Sequence, residues 1–315
     1  MDQTELTLTL NFANDTKRTL ELKNNGSWIT VPACKKTYIW NLDAPKTVAT
    51  VTDGKFRGFV ISPGILKMTE SNTFVLTDGT DPFVTLSQYG NNSFSASTYP
   101  RYYITWDELK TYWGSTGSGA SEVISTKKSI TTEGGSSSLW NVPTQGNWNT
   151  IIATSDTGKG AYVNDDTKSK GRKHYAKVYV DLTGSSYAGK GLSARSGIYI
   201  NSSKGSNYIT GLLLFPDDAE VVCENLTTFD TTDDKFTNNV TYDEIMALVN
   251  DGCLFLPCAG YNLSGWGYGG TNGSYWSATT NSNTRKAYRL YFGAGNVYLG
   301  NEFKSTGYMP VWLVQ

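Results

Sequence analysis

A chain of 315 residues is long enough for one large domain or two small ones, with ample material for a buried core. Its formal net charge of -1 and 17% charged residues leave no extended basic surface for phosphate backbones or anionic lipid, which argues against nucleic acid and membrane partners. Gly 32, Tyr 20 and Trp 9 describe a β-rich, turn-rich chain with more rings than such a core consumes, so some aromatics are expected at the surface.

At the N-terminus, MDQTELTLTLNF has no basic segment followed by an apolar stretch, and no export signal is expected in the given chain. Leu6, Leu8, Leu10 and Phe12 alternate with polar residues and predict a strand. Asn25-Gly26 then supplies a turn before a second strand over 28–31. Residues 1–53 thus read as a small N-terminal β unit or extension, and 54–315 as the main domain. Within the latter, FRGFVISPG is a short strand closed by Pro63-Gly64, and TFVLTD is another.

Helix starts follow. Thr105 with Glu108, and Thr241 with Glu244, have the spacing of capping boxes ahead of apolar residues at helical intervals, the second closed by Gly252. The segment 142–153 has the same form with a weaker signal, because Asn147 stands where a Glu would complete the box. Residues 116–138 and 155–173 are Gly-, Ser- and Lys-rich and aperiodic, and read as long surface loops. The longest apolar runs, 212–215 and 253–257, fall far short of the ~18 residues of a bilayer span.

Catalytic and metal-binding patterns are sparse. The lone histidine, His174, cannot make a two-histidine metal site and has no evident nucleophile beside it. Asp217-Asp218 and Asp165-Asp166 are adjacent carboxylates that diverge in direction and suit turns. GWGYGG over 265–270 lacks the Lys-Ser/Thr ending of a phosphate loop. Cys34, Cys223, Cys253 and Cys258 show no Cys-x-x-Cys spacing, and Cys253 and Cys258 read as inert core thiols. The expectation is no enzyme, no cofactor and no metal site.

The C-terminal alternation is more informative. In AYRLYF, Tyr288, Leu290 and Phe292 point to one face of a strand and Arg289 and Tyr291 to the other; in NVYLG, Val297 and Leu299 oppose Tyr298. Trp266, Tyr268, Phe303 and Tyr308 add large rings nearby. Clustered exposed rings mark binding surfaces, where they give large contact area at low entropy cost.

Several blocks occur in an order that resembles a known group: ISPG, WNVPTQGNW, GLLLFPDD, LFLPCAGY, GSYWSAT, AYRLYFGAGNV and STGYMPVWLV. They are similar to bacterial proteins with the C-type lectin fold of the formylglycine-generating-enzyme type, and especially to the variable proteins of diversity-generating retroelements. The resemblance covers roughly 54–315. It departs at the end, where the family's SVRPV is replaced by Met309-Pro310-Val311 and Trp312-Leu313-Val314.

The resemblance implies an α+β C-type-lectin-type fold with two or three helices, long loops and an antiparallel C-terminal sheet. Tyr275, Trp276, Ser277, Leu290, Phe292, Gly295, Val297 and Gly307 are then framework. The display surface lies in 262–308, with Trp266, Tyr268, Thr271, Ser274, Arg289, Tyr291, Tyr298, Asn301, Phe303, Thr306 and Tyr308 as ligand-binding residues. Such a protein is a non-enzymatic adhesin or receptor-type binder at the cell surface or outside the cell, held there by a pilus or another anchor. Its ligand would be an extracellular protein, the favoured class, or a glycan. The alternative is a fixed carbohydrate-binding, lectin-like surface protein. No cysteine follows Cys258, so the cysteine pair that formylglycine-generating enzymes use near the end of the domain is missing.

Overall fold

The computed structural model describes residues 5–11, 17–23, 28–33, 36–41, 55–79, 82–83, 99–152, 175–188, 207–216, 238–250, 252–262, 266–267, 272–293 and 297–315. Among them it is an α+β protein, with three α-helices and several small sheets that are largely antiparallel. Four N-terminal strands pair as two hairpins: β1 (Glu5–Asn11) with β2 (Lys17–Lys23), and β3 (Trp28–Ala33) with β4 (Lys36–Asn41). The sequence reading anticipates one strand on each side of Asn25-Gly26, whereas each side carries two.

Helix α1 (Trp106–Trp113) begins as its capping box dictates: the Thr105 hydroxyl accepts from the Glu108 amide and the Glu108 carboxylate accepts from the Thr105 amide. Trp106, Leu109 and Trp113 recur on one face and are buried. Helix α2 (Gln145–Ile151) has a complete box as well, with Asn147 in the position expected to want a Glu. Its shorter amide side chain still reaches the Thr144 backbone N–H at 2.7 Å. Helix α3 (Tyr242–Asn250) starts with the predicted Thr241–Glu244 exchange.

The segment 116–138, anticipated as an aperiodic loop, carries more order than that. A short 3-10 turn (Gly119–Ser121) is followed by β10 (Lys128–Thr132), which pairs with β11 (Ser137–Trp140) and with β8 (Phe74–Leu76), itself paired to β7 (Leu66–Met68). Its Ser/Thr-rich strands bury Ile130 and Trp140 while exposing their hydroxyls, so apolar alternation was too thin to reveal them. Residues 155–173 and Gly295 lie outside the described residues.

Two cores result. The first joins the sheet of β14 (Asn238–Thr241), β12 (Tyr175–Asp181), β13 (Tyr208–Leu214) and β15 (Leu254–Pro257) to α3 and Trp148 of α2. The second gathers α1, β7, β8, β10 and the C-terminal residues Met309, Val311 and Leu313. Between them stands the C-terminal sheet of β18 (Gly273–Thr280), β19 (Lys286–Phe292) and β20 (Val297–Phe303). Tyr275, Leu290 and Phe292 face the first core, and Trp276, Ala278 and Ala287 the second. Gly273 is required where β18 meets β19, since a Cβ there would lie 2.0 Å from the Phe292 ring.

β18 is an edge strand, and its free backbone groups are covered one by one. Trp276 N–H donates to Pro310 O (3.3 Å), Ala278 N–H to Pro143 O (2.7 Å) and Thr280 N–H to Glu122 O (3.1 Å), while Ala278 O accepts from Ile124 N–H (3.0 Å). Two carbonyls near the bulge accept indole N–H groups instead: Ser277 O from Trp106 of α1 (3.0 Å) and Trp276 O from Trp148 of α2 (3.3 Å). The Trp276 indole in turn donates to Ile104 O at 2.8 Å.

The last residues close the domain. Leu313 O accepts from Ser62 N–H (2.8 Å), Leu313 N–H donates to Ser62 Oγ (3.0 Å), and Val314 exchanges two backbone bonds with Asn141. Trp106→Phe keeps the packed ring while removing one indole bond, and should lower the unfolding free energy by about 1–3 kcal/mol. Trp276→Ala, which opens a cavity, should cost on the order of 3–5 kcal/mol. Denaturant titration checks both, and a wild-type value for Trp106→Phe would show that the indole bond contributes nothing.

Candidate functional site

Opposed residues in antiparallel strands share a face, so the register decides which predicted site residues meet. One row across β18, β19 and β20 is Ser274, Tyr291 and Tyr298, and the next is Trp276, Arg289 and Gly300. Tyr291 and Tyr298 lie with ring centroids 5.0 Å apart. Tyr291 is half-buried and takes a 2.7 Å hydrogen bond from the Asn272 amide to its hydroxyl, while Tyr298 is 45% exposed.

Arg289 and Ser274 depart from the display reading. Arg289 is 8% exposed and Ser274 fully buried. The guanidinium lies over the Tyr261 ring at 4.4 Å and the Tyr291 ring at 5.0 Å, donates to Ser274 Oγ at 2.9 Å and stands 3.6 Å from the Glu302 carboxylate. Gly300 lies opposite Arg289, where a Cβ would meet Nε at 3.4 Å, an ordinary contact distance. Strand alternation separates the two faces of β19, but around Arg289 this face is packed against the second core, and it opens to solvent only at Tyr298. Arg289 is therefore a pin beneath Tyr291.

Asn301 and Phe303 pair with Tyr288 and Lys286, which places them on the opposite face from Tyr291 and Tyr298. Asn301 is partly buried; Phe303 is 42% exposed, with Lys286 Nζ 4.6 Å from its ring centroid. Phe303 and Thr306 border a cleft of about 690 Å3 between α1, the β18–β19 turn and the end of β20. Strands rise ~3.3 Å per residue, so this cleft and Tyr291 lie at opposite ends of β19.

At the base of the cleft, Glu122 accepts from Lys304 at 2.8 Å, from Ser115 at 3.0 Å and from Lys110. Burial alone would push its carboxyl up; the hydrogen bonds from Lys110, Lys304 and Ser115 outweigh that and hold it at about 2. Lys304 also sits 4.4 Å over the Trp106 ring. Sequence reasoning missed Glu122, Lys110, Arg285 and Lys304. Nothing local marks them, because Glu122 and Lys304 meet only in the folded chain.

Tyr308 stands apart, half-buried in β21 (Tyr308–Met309), where it pairs with Thr105 and with Asn262 of β16 (Tyr261–Asn262). The Trp266 backbone pairs with Asn262 in β17 (Trp266–Gly267). Tyr268 and Thr271 lie outside the described residues, as do His174, Asp165-Asp166 and Asp217-Asp218. Among the framework positions, Tyr275, Trp276, Ser277, Leu290 and Phe292 are fully buried, Gly307 is buried, and Val297 is half-buried. Cys253 and Cys258 are buried and in no disulfide, and burial pushes the Cys258 thiol up to about 12. Among the described residues no three His, Cys, Asp or Glu side chains gather as metal ligands, and no helix is long and apolar enough to cross a membrane.

A model of a domain of unknown function, DUF8237, matches residues 220–311, an interval that contains α3 and β15 to β21. Comparison with curated proteins and with solved structures yields no match.

Two predictions follow from burial. Arg289→Ala leaves Glu302 buried without its cation and should cost about 3 kcal/mol, whereas Tyr298→Ser, on the same face, should cost under about 1 kcal/mol; equal costs in chemical denaturation would contradict the geometry. Because the Glu122 carboxyl is held at about 2, below its ordinary 4.5, its stabilising contribution is complete above pH 4.5 and is lost as pH falls through 2. Glu122→Gln should therefore lower the unfolding temperature at neutral pH and flatten its decline between pH 4.5 and 2.

Proposed function

We propose that this chain is a non-enzymatic ligand-binding protein on a C-type-lectin-type scaffold, of the kind that diversity-generating retroelements vary, and that it acts at the cell surface or outside the cell. The observation that carries this reading is the pair of large exposed rings, Tyr298 and Phe303, on a strand of a sheet whose framework residues are buried on both faces. A rigid platform under an exposed ring is what an interface anchor needs, because little side-chain freedom remains to be lost on binding.

Tyr298 with Tyr291 forms one contact patch, and Phe303 with Thr306 another. Side chains so different in size and polarity suit a protein target better than a uniform sugar platform. The surroundings tolerate change at these positions, since neither Tyr298 nor Phe303 fills a core.

A ligand is to be found by cell-surface and glycan-array screening. Tyr291→Ser with Tyr298→Ser should then weaken binding by roughly 2 kcal/mol or more. Leu139→Ser, at an exposed residue of a different sheet, should leave it unchanged. Loss in the Leu139 control with full affinity in the double variant would move the site off the C-terminal sheet. The diversification part is tested separately by looking beside the coding sequence for a reverse transcriptase and a near-copy of the C-terminal segment.

A further inference from the structure

The cleft beside Phe303 has a chemical bias of its own. Lys110, Arg285 and Lys304 line it against two carboxylates, Asp107 and Glu122. Glu122 is engaged by Lys110, Lys304 and Ser115 and is itself buried, so it offers a ligand little free charge. Lys304 is buried on that contact, whereas Lys110 retains 43% exposure and further N–H donors. Arg285 is exposed at the β18–β19 turn and makes no ion pair with a described residue.

What remains available is therefore a planar guanidinium, one partly used ammonium, the Asp107 carboxylate and the hydroxyls of Thr284, Ser305 and Thr306. Beside them stands the Phe303 ring, 42% exposed, with Lys286 near it. The lining carries three cations against two carboxylates. An anion matches it, and the guanidinium fork favours a group that accepts two parallel hydrogen bonds. Asp107 on the rim opposes a doubly charged group, which selects a carboxylate over a phosphate.

We propose that this cleft takes a carboxylate side chain from an acidic peptide segment of the partner, seated on Arg285 and Lys110, with a neighbouring apolar side chain against Phe303. The volume of about 690 Å3 lies in the range of small-ligand sites and accommodates two or so side chains. This inference rests on the ligand-binding reading above and names the chemistry of one part of its surface. Tyr291 and Tyr298, at the other end of β19, are not part of it.

The test selects a phage-displayed random peptide library on the full-length chain and measures enriched peptides by fluorescence anisotropy. They should carry Asp or Glu next to an aromatic or aliphatic residue. Binding should fall at least about tenfold for Arg285→Ser, for Phe303→Ser and for peptides with the acid replaced by its amide, and should weaken as salt rises. Unfolding temperatures of the two variants, both at exposed positions, establish that they fold. Enriched peptides without acids, or acidic peptides bound equally by Arg285→Ser, would overturn the proposal. So would uronate-bearing glycans that bind in an Arg285-dependent way while no peptide is enriched. Peptides lost only in the Tyr291/Tyr298 double variant would leave the ligand-binding reading intact and remove the cleft from it; loss only with Arg285 and Phe303 would support the cleft and remove the Tyr291–Tyr298 patch from the binding surface.

Discussion

An edge strand in the middle of a protein must satisfy its outer row of backbone groups or leave them buried at a cost of about 1–3 kcal/mol each, and β18 meets this constraint with side chains as well as backbone. The indoles of Trp106 and Trp148 arrive from two different helices and donate to adjacent carbonyls at the β18 bulge. Each helix is thereby fixed in position by a directional contact, with apolar burial supplying the bulk of the attraction. Segments around Glu122, Pro143 and Pro310 complete the row. Parts of the chain far apart in sequence therefore converge on one strand, and the two cores on its faces share it as a wall.

That arrangement restricts where the C-terminal sheet can be reached. Its two faces are committed to packing through most of their length, so access is left to the outer strand and the turns at either end. Tyr298 and Phe303, both on β20, are the exposed large rings of the sheet. The charged residues beneath them are held by specific partners: Arg289 between two tyrosine rings, Ser274 and Glu302, and Lys304 between Glu122 and Trp106. Buried charge of this kind is poor as a source of net stability and good at penalising any shift of register or rotamer.

Much of the main domain's local structure is legible from the sequence because it has local causes. The capping boxes at Thr105 and Thr241 marked helix starts, since the exchange they make is confined to one turn. The 288–292 alternation gave the faces of β19 because a strand's period needs no partner to be read. Burial of Arg289 and Ser274 was not legible, because it depends on Tyr261 and the second core approaching from outside the strand. The β10–β11 hairpin hid for a related reason: its hydroxyl-bearing residues face solvent while Ile130 and Trp140 alone carry the apolar signal. Asn147 was undervalued because the capping box was read by residue type, whereas the geometry requires only an acceptor within reach of the Thr144 amide.

The split between what is pinned and what is free has a consequence for variation along the C-terminal segment. A side chain at 289 must be long, cationic and flat enough to lie between Tyr261 and Tyr291 and to reach Glu302, and its neighbour across the sheet, Gly300, lies directly against it. Positions 274, 289, 300 and 302 are thus coupled, and a change at one strands a polar partner at another. Positions 298, 303 and 306 carry no such obligation to the cores: Tyr298 contributes a ring contact, Phe303 a contact with Lys286, and Thr306 is exposed. Sequence freedom and solvent access therefore coincide on β20 and the turn after it. On physical grounds alone, positions 298, 303 and 306 can change their side chains most while the fold beneath them stays the same.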